Sequence, residues 1–294
     1  MRKHLPTYSK IIGKKKPATL FHYTTPIGLL GISISKKIWA TDIRYFNDPK
    51  EFQHALDITH LIIEDFYKIS DDPKELEGLD YDLIEYLRIN LGRTWNPEVY
   101  VVSFTEEGDL LSQWRGYCPK GGFSIGFDFD FLFQIAKIHD SDLLPCVYDL
   151  KIKKQIIQEL LAFHNKKYIE AKDGTKQHNS DQLVHTITNE FIISLYAIAP
   201  MLKHESFEEE KEWRIVSSKL RIQPEIKFRA SESKIIPYIE ISLCQIEEEV
   251  NFKSIYCGLD SNNQLSKKAV MQLLRKNRLP DHAFKLSKTP YRSA

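Results

Sequence analysis

Phe207-Glu208-Glu209-Glu210-Lys211-Glu212-Trp213-Arg214-Ile215-Val216 is the stretch on which the reading of this chain turns. From Glu212 the aromatic and β-branched residues predict a strand running to Ser217, and residues two apart in a strand share a face. Read as extended from Glu210, the segment sets Glu210, Glu212 and Arg214 on one side and Trp213 and Ile215 on the other. Like charges stacked along a strand repel unless a cation, a ligand hydroxyl or Arg214 itself offsets them. Two readings follow: an edge strand kept soluble by its charge, or one wall of a polar site.

Two earlier segments carry polar residues where a purely structural strand prefers apolar ones. Ala18 to Tyr23 reads as a short buried strand that feeds a helix opened by Pro26. His22 at its end is either a core histidine bonded to a backbone carbonyl or a functional one. Val99 to Phe104 is the clearest strand of the first half, and Ser103 with Thr105 puts two hydroxyls on one face at its end.

Around these segments the pattern alternates. A strand over Lys37 to Ala40 leads into Arg44-Tyr45-Phe46-Asn47-Asp48-Pro49, and helices follow from Pro49 and over Leu79 to Leu91. Leu110 to Tyr117 forms one or two helical turns, in which Trp114 packs or serves as a ligand platform. After the Gly121-Gly122 break come strands over Phe123 to Phe129 and Leu144 to Tyr148. Two helical patterns, Ile152 to Ile169 and Leu183 to Leu202, flank the polar run Ala171 to Ser180. Strands return over Glu225 to Arg229, Pro237 to Leu243 and Ile255 to Gly258, before a helix over Ser266 to Asn277 capped by its serine. The order predicts an α+β fold with a mixed sheet. It forms one domain over 18–294, with a helical insertion at about 151–204, behind a basic arm at 1–17.

Bulk properties bound the class. The 294 residues are 42% hydrophobic and 12% aromatic, enough for a core, and no low-complexity tract points to disorder. Charges nearly cancel at a formal net of +1, so the whole-chain balance names no partner, although both ends are locally basic. No apolar run approaches the roughly 18 residues of a membrane span, and the first residues lack a secretory signal's apolar stretch. Cys118, Cys146, Cys244 and Cys257 have no metal-ligand spacing. A cytoplasmic protein with reduced thiols, no structural zinc and no membrane partner is expected.

Taken together, Leu20-Phe21-His22-Tyr23-Thr24, Arg44-Tyr45-Phe46-Asn47-Asp48-Pro49-x-Glu51, Ser103-Phe104-Thr105, Ser112-x-Trp114-x-x-Tyr117, Gly122-Phe123-Ser124-Ile125-Gly126-Phe127 and Glu210-x-Glu212-Trp213-Arg214 resemble the bacterial domain-of-unknown-function 2971 family. The order spans about residues 18 to 260. That pattern is in turn similar to ADP-ribosyltransferases, including DNA-targeting toxins. The resemblance implies NAD as substrate, an ADP-ribosyltransferase-like sheet, and a toxin or antiviral defence role.

It also implies residue roles. His22 holds the nicotinamide-side ribose or phosphate, Ser103 and Thr105 support the pocket, and Glu212, with Glu210 as second choice, acts on the ribose. Tyr23 or Tyr117 stacks on nicotinamide, Arg44 pairs with the pyrophosphate, and Thr24, Asn47, Trp114 and Arg214 complete the binding set. Phe104 stands where a Ser-Thr-Ser triplet has its middle residue, and Asn47-Asp48-Pro49 has no assigned counterpart. The implied partners are a macromolecular acceptor, DNA or RNA among them, and an antitoxin or defence-system protein. Three other readings compete: an NAD glycohydrolase, a metal-dependent nuclease built on Asp48 and Glu209-x-Lys211, and a non-catalytic nucleotide-sensing module.

Overall fold

The computed structural model describes residues 5–12, 16–46, 51–69, 78–92, 98–174, 180–217, 225–231, 233–244, 250, 252–258, 263–281 and 284–289. Along the chain these form α1 (Pro6–Ile12), β1 (Thr19–Thr24), α2 (Pro26–Ser35), β2 (Lys37–Asp42), α3 (Glu51–Ile69), α4 (Tyr81–Asn90), β3 (Tyr100–Thr105), α5 (Leu111–Tyr117), β4 (Phe123–Asp128), α6 (Phe129–Ile138), β5 (Ser141–Pro145), α7 (Leu150–Gly174), α8 (Ser180–Ile198), β6 (Glu212–Ser217), β7 (Lys227–Ala230), β8 (Ile235–Ser242), β9 (Phe252–Cys257), α9 (Asn263–Lys276) and β10 (Phe284–Leu286). Asn47, Asp48 and Pro49, singled out from the sequence, lie outside the described residues.

The chain divides into two compact units. The first, Met1–Lys14, Phe46–Glu98 and Cys146–Ser206, is helical. It gathers α1, α3, α4, α7 and α8, so the helical layer draws on three stretches of chain and not on 151–204 alone. Each helix has an apolar stripe that cannot be buried by itself. Ile156, Ile157 and Leu160 of α7, Phe191 and Leu195 of α8, Ile62 and Ile63 of α3 and Leu87 of α4 are all buried. What reads from sequence as a basic arm contains α1, whose Thr7 donates through its backbone N–H to Glu159 at 3.1 Å. Inside this unit the buried Lys153 ammonium bonds the Lys203 carbonyl at 2.9 Å and His54 Nε2 at 3.0 Å.

The second unit, Lys15–Tyr45, Val99–Pro145 and Phe207–Ala294, holds the sheet. Among the described residues it has ten strands in the order β10-β9-β4-β1-β3-β2-β8-β7, with β6 on β3 and β5 on β6. Only the β10–β9 pair is parallel among these registers, so the α+β class with a mixed, open sheet stands. Leu20, Phe104, Ile125, Phe127, Trp213, Ile215, Phe252 and Ile255 form the core with the apolar faces of α2, α6 and α9.

Three elements depart from the sequence reading. Phe129 opens α6 and does not close a strand, because the Asp128 side chain accepts from the N–H groups of Asp130 and Phe131 and caps a helix there. The last helix starts at Asn263, which leaves Ser266 inside it. The strand expected at Leu144 to Tyr148 is shifted back to β5, where it pairs with β6.

Candidate functional site

Strand β3 has two unlike edges. One pairs with β6 without interruption, from Val101 opposite Val216 to Thr105 opposite Glu212. The other is shared: β2 meets it at Tyr100 and Val101, and β1 meets it at Thr105, opposite Phe21. Between these two junctions the sheet parts, and the His22 imidazole enters the opening. Its Nδ1 lies 3.0 Å from the Ser103 carbonyl oxygen. A carbonyl only accepts, so Nδ1 carries the proton and Nε2 keeps a lone pair. Burial holds the His22 pKa below the ordinary histidine value, with the Ser103 bond opposing it.

This opening continues into a narrow cleft of about 40 Å³ lined by Phe21, His22, Tyr23, Ser103, Phe104, Gln113, Tyr117, Glu210 and Glu212. Four separate segments, β1, β3, α5 and the approach to β6, therefore converge on one place. The volume suits a water or the polar edge of a larger molecule. A larger groove of about 340 Å³ lies in the helical unit, beside Ala162, Asn165 and Ile169. Its central polar residue is already satisfied: Asn165 donates to the Gly78 carbonyl and accepts from the Asp80 N–H, both at 2.7 Å. The smaller cleft gathers the chemistry.

The two glutamates reach it by different routes. Glu212 and Arg214 are 3% and 1% exposed, and Arg214 clasps Glu212 in bidentate fashion, Nε to Oε1 at 2.8 Å and Nη2 to Oε2 at 2.9 Å. β6 lies between β3 and β5, so its charges do not protect an edge. Such planar two-point pairing fixes the carboxylate direction. Glu210 is not part of the strand, contrary to the extended reading from 210. It ends a 3₁₀ helix over Glu205–Glu210, and Lys211 follows in the left-handed region at φ 42°. An L-residue there is strained. The turn is held by Thr105, whose hydroxyl donates to the Glu210 carbonyl at 2.6 Å, and by the Lys211–Glu107 ion pair at 2.9 Å.

Buried polar groups normally find partners. One in this cleft does not among the described residues: the Ser103 hydroxyl is buried and unpaired. Gln113, 6% exposed, also lines the cleft. Gln113 was missed from sequence because it is an unremarked position inside Ser112-x-Trp114; its signal was a polar residue one place before a buried tryptophan on a short helix. A hydroxyl, an amide, an imidazole lone pair and two carboxylates can together bind a ligand rich in hydroxyl and amide groups.

The remaining expected residues are placed elsewhere or committed to the framework. Tyr23 donates its hydroxyl to the Glu107 carbonyl at 3.0 Å and accepts from Leu110 N–H at 2.8 Å; burial pushes its pKa up. Trp114 packs edge-on against Tyr23 at 4.7 Å and bonds Asp109 at 2.8 Å, so it packs and does not line the cleft. Asp109 also receives the Ser287 hydroxyl, the Lys288 N–H and the Thr289 hydroxyl. Thr24 offers its carbonyl to the Cys118 thiol at 3.3 Å. Arg44 is joined to the buried Asp42, Nε to Oδ1 at 2.9 Å, and does not line the cleft. Tyr117 lines its mouth at 39% exposure. Glu209 sits on the exposed 3₁₀ turn outside the lining. No group of three or more His, Cys, Asp or Glu suited to a metal occurs among the described residues, and none of their helices is long and apolar enough to cross a membrane.

Residues 113–215, from the middle of α5 to the middle of β6, match the family model described as "Protein of unknown function (DUF2971)". That stretch includes Gln113, Tyr117, Glu210 and Glu212. No curated protein and no solved structure matches the chain.

Proposed function

We propose that the cleft is the site of NAD-dependent ADP-ribosyl transfer to a macromolecular acceptor. The observation that supports this most is the convergence of His22, Ser103, Gln113, Glu210 and Glu212 on one opening in the sheet, with the Ser103 hydroxyl buried and unpaired. The resemblance to ADP-ribosyltransferases named an imidazole, a hydroxyl strand and a glutamate for the same task.

In this reading the bond between nicotinamide nitrogen and ribose C1′ breaks, nicotinamide leaves with the electron pair, and positive charge develops on the ribose ring. Glu212, held in direction by Arg214, faces that charge and accepts from a ribose hydroxyl. Glu210, on the strained turn beside it, takes the proton from the acceptor as its nucleophile bonds C1′. Ser103 and His22 Nε2 hold ribose or amide groups at the floor. At about 40 Å³ the floor receives one polar edge, so the rest of the dinucleotide lies over the mouth beside Tyr117. With water as acceptor the same residues give NAD hydrolysis.

The test is incubation of the purified chain with NAD and a cell extract, followed by mass spectrometry for free nicotinamide and for ADP-ribose joined to macromolecules. Transfer predicts both products, and hydrolysis predicts nicotinamide with free ADP-ribose. Loss of either in Glu210→Gln or Glu212→Gln, with melting checked in parallel, ties it to the cleft. No nicotinamide release by the wild type, with or without extract, would overturn the reading.

A further inference from the structure

On the three outer strands β2, β8 and β7 the register gathers an aromatic and basic cluster. Lys37, Trp39 and Thr41 of β2 stand opposite Ser242, Glu240 and Tyr238 of β8, and Lys227 and Arg229 of β7 stand opposite Tyr238 and Ile236. Directly paired residues share a face, so all of these side chains project from the same side. The opposite side carries Ile38, Ala40, Ile239 and Ile241, which are buried in the core.

Trp39 is 42% exposed, whereas Trp114 and Trp213 are buried. Tyr238 backs its ring with centroids 4.4 Å apart and planes 32° from parallel. A tryptophan supported from beneath and open above is a rigid stacking platform. Cations flank it. Lys37 and Lys227 both bind Glu240, at 2.7 and 3.0 Å, and Glu225 lies near Lys227. Arg229 is half-buried, makes a long 3.4 Å bond from Nη2 to Thr41, and forms no ion pair among the described residues, so its charge stands unneutralised beside the aromatic pair.

We infer that this face binds single-stranded nucleic acid, with a base stacked on Trp39 and a backbone phosphate on Arg229, assisted by Lys37 and Lys227. The combination of an aromatic platform with a cationic track is what unpaired strands use. A duplex keeps its base faces stacked internally and cannot engage Trp39 in this way, and an acidic peptide would use the cations without the ring. Thr41 also pairs with Val101 of β3, so the platform and the side chains of Ser103 and Thr105 project from one face of the sheet. The inference names an acceptor class for the proposed transferase, yet it concerns binding and stands without NAD.

The test is fluorescence anisotropy of the full chain, without NAD, against labelled oligothymidine of about 12 nucleotides, with a DNA hairpin duplex and polyglutamate as competitors. Binding should weaken as salt rises from about 50 to 200 mM. Trp39→Ala should weaken it by about tenfold or more. Arg229→Gln should lower the slope of log affinity against log salt by about one. Both variants should melt with the wild type. Absence of binding, equal binding by Trp39→Ala, or stronger competition by duplex or polyglutamate would each overturn the inference. NAD cleavage by a chain that fails this test leaves the transfer reading intact, and oligonucleotide binding without NAD cleavage leaves the platform intact.

Discussion

The imidazole of His22 stands in for a strand partner of Ser103, Nδ1 to carbonyl oxygen 3.0 Å, at the place where β1 and β2 diverge along one edge of β3. Burial makes the charged ring unfavourable there and lowers its pKa. The unfolded chain, titrating near the ordinary value of about 6.5, then holds more protons than the folded one as pH falls. By linkage this contribution to stability is complete above that value and is lost progressively below it. Ring-proton titration by NMR should place His22 below 6.5 in the folded chain; a higher value refutes the neutral assignment. If the proposed NAD cleavage is observed, its rate should decline on the same acidic limb, because protonation removes the Nε2 lone pair.

The Glu212–Arg214 pair predicts an asymmetry between the two glutamates. Arg214→Met leaves a carboxylate buried without its guanidinium and should destabilise the sheet unit by about 3–5 kcal/mol. Glu210→Gln is a near-isosteric change of a half-buried side chain on a turn and should cost no more than about 1 kcal/mol. Urea unfolding followed by tryptophan fluorescence measures both, and equal shifts contradict the placement.

His164 gives the helical unit its own pH dependence. Its Nε2 bonds the Ser194 hydroxyl at 3.1 Å, while Nδ1 is buried and unpaired. Burial, with Lys167 adding to it, pushes its pKa down to about 4. The folded value lies below the unfolded one, so stability falls as pH drops from about 6.5 toward 4, by up to about 3 kcal/mol. Melting temperatures of His164→Leu should decline less over this range than those of the wild type; parallel curves would exclude His164 as the cause.

Thiol reactivity should be uneven. Cys118 is buried, bonded to the Thr24 carbonyl, and burial pushes its thiol up to about 12, so little nucleophilic thiolate forms near neutrality. Cys146 and Cys257 are also buried, and Cys244 is half-buried. Peptide mapping after brief iodoacetamide treatment should find Cys244 labelled first. Prior labelling of Cys118 would contradict the packing around Thr24.

Much of the frame was legible where local pattern and tertiary context agree. Glu212 to Ser217 was bounded from its aromatic and β-branched residues alone, and His22, Ser103, Glu210 and Glu212 were singled out because polar residues interrupt otherwise apolar strands. The errors have particular causes. Phe129 continues the apolar run of β4, and only the Asp128 cap distinguishes the helix that follows. Glu210 sits at strand spacing from Glu212, but Lys211 turns left-handed between them, a conformation that a lysine does not advertise. The clasp of Arg44 by Asp42 competes with any anion, and adjacency in sequence does not reveal it. The charge of β6 was ambiguous because two-sided pairing depends on β3 and β5, which are distant in the chain. Gln113 was invisible because its meaning lies in the distant segments it meets around the cleft.

The parted seam makes one side chain answerable for one backbone group. A β-branched aliphatic at position 22 has no donor to offer, so it would leave the Ser103 carbonyl oxygen, which now accepts from the imidazole at 3.0 Å, buried without a partner. Position 22 therefore carries a debt of the sheet itself, whatever else the imidazole does.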